Sequence, residues 1–224
     1  IALHVPAAFL DAATYPVTID PLVGNFTASQ SGSNDFHPDI VREPATGDFL
    51  VIFEEALNST DHDVIAHRYD ADGTFVSRLY FDITFDLCID PKICATLGAS
   101  GVLAIWDDDG SAKGIQARQY GLTAGTFGST RQVTADGFGV DSRTPDIGGG
   151  TDLGVNNHGQ MAVYVRVAAG VNFSLRGIPL QSSGLPLNSG FVIDAAPGCD
   201  PRPDISPSGG SPLHWVVVWQ AKSA

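Results

Sequence analysis

The chain has 224 residues, and 25 acidic against 12 basic side chains leave it a formal charge of −13; nucleic acid and anionic membranes, which need a concentrated positive face, are excluded as partners. With Gly 25, Pro 14 and only 17% charged residues, the composition suits many short strands and turns in one all-β domain long enough to bury a core. No apolar run approaches the roughly 18–20 residues of a membrane span, and Ala7 to Ala13 is the one plausible helical turn.

In chain order, Ile1-Ala2-Leu3-His4 and Tyr15-Pro16-Val17-Thr18-Ile19-Asp20 read as two strands, followed by a loop, Pro21 to Phe36, rich in Gly, Ser, Asn and Thr. A four-residue word then begins to recur: His37-Pro38-Asp39-Ile40, Asp90-Pro91-Lys92-Ile93, Thr144-Pro145-Asp146-Ile147 and Arg202-Pro203-Asp204-Ile205. The prolines are 53, 54 and 58 residues apart, the period of a repeated supersecondary unit. About a dozen residues after each copy stands a short apolar run rich in β-branched and aromatic side chains: Phe49 to Phe53, Val102 to Trp106, Met161 to Val165 and Trp215 to Trp219. Such runs read as strands covered on both faces.

A third segment places a basic residue three positions after an apolar one, Ile65 to Arg68, Ile115 to Arg118 and Phe173 to Arg176, and that spacing predicts one recurrent slot for the three arginines. It ends in a turn: Asp70-Ala71-Asp72-Gly73-Thr74, Thr123-Ala124-Gly125-Thr126 and Ser182-Ser183-Gly184. Asp in such a turn bonds nearby amides and Gly accepts positive φ, so turn chemistry accounts for the Asp-x-Asp-Gly sequence better than a calcium loop lacking its closing Glu. A fourth segment closes each unit: Phe75 to Phe81, Phe127 to Thr134 and Leu187 to Ile193.

Four antiparallel strands at this period make a blade of a β-propeller. The predicted fold is a single four-bladed propeller over residues 1–224, with blades at about 37–87, 88–143, 144–198, and 199–224 joined by residues 1–20. The last copy ends after its second strand, and the two N-terminal strands match the missing third and fourth. They complete the blade either within the chain or, by strand exchange, in a second copy; an uncompleted blade would leave an open edge.

The segment Val51-Ile52-Phe53 with Asp63-Val64-Ile65-Ala66-His67-Arg68-Tyr69-Asp70-Ala71-Asp72-Gly73-Thr74 resembles the repeats of extracellular bacterial β-propeller proteins, which pair a proline-led first strand with a V-V-W type second strand and a D-x-D-G-T turn. The resemblance covers all four units, although the third lacks the acidic turn. It implies secretion or surface display, architecture more than activity, and a structural or adhesive role.

First strands line a propeller's channel, so Asp39, Asp146 and Asp204, with Lys92 at the matching place, either form a ring for calcium or another cation or accept backbone N–H bonds that set the angle of the next blade. The run Asp107-Asp108-Asp109-Gly110 reads as a solvated loop between the second and third strands, the alternative being a clamp for a hard cation together with a neighbouring loop. Cys88 and Cys94 either close a small disulfide loop or stay as two buried thiols, and Cys199 has no obvious partner. Glycan acceptor sequons occur at Asn25, Asn58 and Asn172, consistent with a secreted protein.

Five-bladed glycosidases also place an Asp-Pro pair on a blade's first strand, as Asp90-Pro91 does, but the carboxylates here repeat, and Glu43, Glu54 and Glu55 are the only glutamates. The reading that follows is a non-enzymatic module that assembles with itself into a fibre or coat. The alternative is a binder of glycans or another ligand, with Phe26, Phe36 and Phe138 as loop aromatics; a glycoside hydrolase comes last.

Overall fold

The computed structural model describes residue 28 and residues 34–96, 101–110, 113–134, 140–149, 159–168, 172–195, 202–206 and 215–220. Among them there is no helix, and every sheet pairing is antiparallel. The first sheet runs β1 (Asn34–Arg42), β2 (Phe49–Asn58), β3 (Asp61–Tyr69), β4 (Phe75–Asp82) in that order. The second holds β5 (Cys88–Thr96), β6 (Gly101–Asp108), β7 (Gly114–Gly121) and β8 (Thr126–Phe127), with β9 (Arg131–Gln132) also paired to β7. The expected fourth strand from Phe127 to Thr134 is therefore broken into two short pieces. The third sheet is β10 (Val140–Gly149), β11 (Gln160–Ala168), β12 (Asn172–Leu180), β13 (Phe191–Asp194), and β14 (Asp204–Ile205) pairs with β15 (Val217–Val218). The strands expected over residues 1–20, the helical turn at Ala7 to Ala13, Asn25, Phe26, Phe138 and Cys199 lie outside the described residues.

The apolar runs of the first three units are unbroken in sequence because their sheets are covered on both faces; the fourth run departs from that expectation, since Val216 and Val218 are exposed. Along β6, Val102, Ala104 and Trp106 point to the first sheet, where they meet Leu50, Ile52, Val64 and Phe81. The alternate residues Leu103 and Ile105 point the other way, onto Ala162, Tyr164 and Ile178 of the third sheet. Met161 and Val163 in turn cover Ile205, Trp215 and Val217. Period-two alternation places both sets on opposite sides of one strand, and three apolar layers result.

The hairpin between β3 and β4 follows the turn chemistry expected of it. Asp70 Oδ1 accepts from the Asp72 and Thr74 N–H groups, and Gly73 sits at φ +83°. An alanine there would meet no atom but would be held at positive φ, so Gly73→Ala should cost about 1 kcal/mol through backbone strain alone. Urea denaturation checks this.

The proline word marks a second local device. In β1, β5 and β10 the pairing register slips at the same place, between Phe36 and Asp39, Ile89 and Lys92, and Arg143 and Asp146. The residue before each proline has positive φ: His37 at 48°, Asp90 at 50° and Thr144 at 47°. These are the non-glycine residues with positive φ among those described, and such backbone costs about 1–3 kcal/mol apiece. Proline, lacking an N–H, is tolerated in a strand at a bulge, so the bulge and the proline belong together.

One open alternative is decided and two expectations need correction. Cys88 and Cys94 are free and buried: they lie on one strand, Cys88 in the layer toward the first sheet and Cys94 in the layer toward the third. Six residues of extended chain span about 20 Å, against the roughly 4–7 Å between Cα atoms that a disulfide allows. Asp107 and Asp108 do not belong to a solvated loop; they are the buried last residues of β6, with Asp109 and Gly110 forming the turn after it.

The arginines do not share a slot either. Arg68 lies opposite Leu50, Arg118 opposite Ala104 and Arg176 opposite Tyr164. Counted from the residues opposite Asp39, Lys92 and Asp146, which are Ile52, Ile105 and Val163, these are three different positions. Turn lengths differ between units, so spacing within the third segment does not carry register across the sheet. The partners differ accordingly: Arg68 is held by Asp48, whereas Arg118 donates to the carbonyls of Phe81 and Gly128.

Candidate functional site: the rim formed by the proline words

The bulged residues converge. His37, Asp90, Lys92, Thr144, Pro145, Arg202 and Pro203 line a cavity of about 150 Å³. The backbone frame is the same in the first three units, where the side chain before the proline is imidazole, carboxylate or hydroxyl, and the fourth unit adds the guanidinium of Arg202. A repeated frame thus carries a ring of unlike groups.

Glu54 anchors one side of the ring. Its carboxylate is buried, and Oε1 accepts from His62 Nδ1 at 2.6 Å while Oε2 accepts from His37 Nδ1 at 2.9 Å and from the Asp90 N–H at 3.3 Å. His37 Nδ1 also lies 3.3 Å from Asp90 Oδ1. One glutamate therefore fixes two histidines of the first sheet and the strained bulge of the second. Charge-assisted bonds of this type are stronger than neutral ones, which suits a position where the backbone must be held at positive φ. Phe36, expected as a loop aromatic, is in β1 beside His37.

Behind the rim, the repeated aspartates act as fasteners between sheets. Asp39 Oδ2 accepts from the Ile93 N–H at 2.9 Å, and Asp146 Oδ2 accepts from the Ile205 N–H at 2.6 Å. Each carboxylate also takes the N–H of the following isoleucine of its own strand, Ile40 or Ile147. Lys92 cannot accept, so its unit lacks this fastener and contributes a charge near Asp146 instead. Asp204 is exposed, and its carboxyl shares a hydrogen bond with that of Asp146. Among the described residues no group of three or more His, Cys, Asp or Glu side chains is arranged to hold a metal ion. Asp146→Ala should leave the buried Ile205 N–H without an acceptor, at a cost of about 1–3 kcal/mol. The half-buried Trp215 of that layer reports the change: its emission should shift to the red before global unfolding.

Burial next to other acids sets the protonation of this region. Asp107 is pushed up to about 8, first by burial and then by Asp141, Asp109, Asp90 and Asp108, and its Oδ1 has no hydrogen-bond partner among the described residues. Asp146 is raised to about 6 by burial, a rise that the Asp204 hydrogen bond adds to and the Ile205 and Ile147 amides oppose. Asp63, buried beside Asp61 and Glu55, also rises to about 6. The cysteine thiols are pushed up by burial, which makes them poor nucleophiles.

Of the sequon residues, Asn58 is exposed and its Oδ1 accepts from the Thr60 N–H and hydroxyl, while Asn172 opens β12 and is exposed. Of the rim residues, the sequence singles out Asp90 alone, for its Asp-Pro pair; His37, Thr144 and Arg202 stand there only as the variable first letter of a repeated word. Their signal was that variability beside an unvarying proline. Glu54 and His62 gave none, since only the pairing of β2 with β3 brings them together.

Comparison of the chain with protein-family models, with curated proteins and with solved structures finds no match, so its functional reading rests on this geometry.

Proposed function

We propose that the chain is a four-bladed β-propeller, secreted or displayed at a cell surface, that works as a non-enzymatic binding module with its ligand seat at the rim of the proline words. The fold reading is supported by four sheets of like register stacked through three apolar layers. On the side of the first sheet turned away from the second, Val51, Phe53, Ile65 and Tyr69 are also buried, as a ring with the fourth sheet requires.

One observation carries the function: three unlike side chains on like strained frames, His37, Asp90 and Thr144, are brought to one cavity with Lys92 and Arg202. Strained backbone persists where a site is pre-organised. Lys92 and Arg202 offer donors and Asp90 an acceptor, a set that matches a small polar ligand bearing a negative group. Thermal-shift screening against a panel of monosaccharides, amino acids and organic acids tests it. A probe that stabilises the wild type but not an Asp90→Asn, Arg202→Gln double variant is the expected result. Equal stabilisation of both proteins would remove the rim as the seat.

A second reading, assembly with further copies, is favoured by one residue. Ile93, Ile147 and Ile205 are each no more than 5% exposed, whereas the equivalent Ile40 is 56% exposed. The seam between first and fourth sheets is thus the least covered junction, and the exposed Val216 and Val218 lie on the fourth sheet's side of it. Light scattering after size exclusion decides: a monomer at every concentration removes strand exchange, and a ladder of species supports it.

A further inference from the structure

A second cavity, separate from the rim, lies between the second and third sheets. Its volume is about 310 Å³, and Val133, Thr134, Tyr164, Arg166, Arg176 and Asn188 are among its walls. We propose that it is a binding site for a small oxyanion-bearing polyol such as an acidic sugar unit, with Arg166 and Arg176 taking the anion.

Arg166 is three residues after Val163 on β11, as Glu55 is after Ile52 on β2 and Asp108 after Ile105 on β6. Arg176 lies opposite Tyr164, where the first sheet has Ile65 opposite Phe53 and the second has Gln116 opposite Trp106. Two acids and two buried neutral residues in the sister units thus become two arginines in the third. A scaffold requirement would repeat; this reversal of charge does not.

The register puts both guanidiniums on one face. Arg166 is two residues along β11 from Tyr164, Arg176 is opposite Tyr164, and Ser142 is opposite Arg166. That face is turned to the second sheet, because Tyr164 and Ile178 belong to the apolar layer shared with Leu103 and Ile115. The cavity therefore has an apolar floor, an arginine pair above it, and an outer lip made by Asn188 and Ser189 of the loop before β13.

Neither guanidinium is neutralised. Among the described residues no carboxylate pairs with Arg166 or Arg176, in contrast to Arg68 on Asp48 and Arg78 on Glu55. In a chain of net charge −13, two unpaired half-buried arginines in one concavity hold a local positive potential that a planar oxyanion satisfies by paired N–H bonds. Hydroxyl and amide groups of Thr134, Ser142, Asn188 and Ser189 around them match a polyol rather than an apolar body, and the volume is at the lower end for a small-molecule site.

The test follows the arginine Nε–H resonances of 15N-labelled protein during titration with glucuronate, glucose and inorganic sulfate. Glucuronate is expected to shift the Arg166 and Arg176 signals at millimolar concentration while glucose leaves them in place. Arg166→Gln and Arg176→Gln should each weaken glucuronate binding about tenfold, the loss of one charge-assisted bond, with an unchanged melting temperature as the control for folding. Three outcomes overturn the proposal: equal shifts with glucose, unchanged glucuronate affinity in both variants, or sulfate binding more tightly than glucuronate. Because Asp90 and Arg202 are not part of this cavity, their variants leave the result unaffected, and failure here does not bear on the rim.

Discussion

Replacing Asp107 by asparagine is expected to stabilise the protein at about pH 8 and to flatten its dependence on pH. The Asp107 carboxyl titrates at about 8 in the folded chain against an ordinary 3.8. Between those values the folded state keeps a proton that the unfolded chain has released, so stability is highest below the ordinary value and falls as pH rises toward 8. Each pH unit in that window removes at most about 1.4 kcal/mol. Asp63 and Asp146, raised to about 6, add to the fall in the lower half of the window.

Asparagine keeps the shape and removes the charge that burial disfavours. Calorimetry across the range should show the wild-type melting temperature declining from about pH 5 to about pH 8, and Asp107→Asn melting at least about 5 °C higher at the upper end, as about 2 kcal/mol or more implies for a chain of this size. Parallel curves for the two proteins would mean that Asp107 is ionised throughout and that its surroundings are wetter than its burial implies.

The largest loss of stability is expected from Trp106→Ala. Trp106 is fully buried in the layer between the first and second sheets, with Ile52, Val64, Phe81 and Ile93 in the same cluster. Large-to-small changes at such a site cost about 3–5 kcal/mol, a large part of the roughly 5–15 kcal/mol that a domain has in all. Trp106→Phe should cost far less, because it fills most of the space and also removes an indole N–H that has no acceptor among the described residues. Phe85→Ala, at a side chain 92% exposed, should change little. Urea denaturation ranks the three, and an alanine variant within about 1 kcal/mol of wild type would contradict the layered core.

Architecture was legible where local chemistry decides it. The proline words, the apolar runs after them and the Asp70 to Thr74 turn are short-range features, and the strands, the bulges and one hairpin follow from them directly. So did the role of Asp39 and Asp146 as acceptors for the next unit's amide, one of two readings open in the sequence, because an aspartate repeated with the period of the fold serves what the fold repeats.

What the sequence determined by itself is therefore the all-β class, the unit length and the two-sided burial of the second strand in the first three units, all properties of neighbours along the chain. Tertiary structure alone decided that Asp107 is buried next to other acids, that Glu54 reaches both His37 and His62, that Arg68, Arg118 and Arg176 occupy three different positions, and that Arg166 and Arg176 share one concavity. These depend on register across a sheet and on which faces meet, and register is set by turn lengths and bulges acting together. A side chain's charge can be read from its letter, but its surroundings come from elsewhere along the chain, from the 8 positions between Glu54 and His62 to the 59 between Asp146 and Ile205, and only the packed sheets fix that approach.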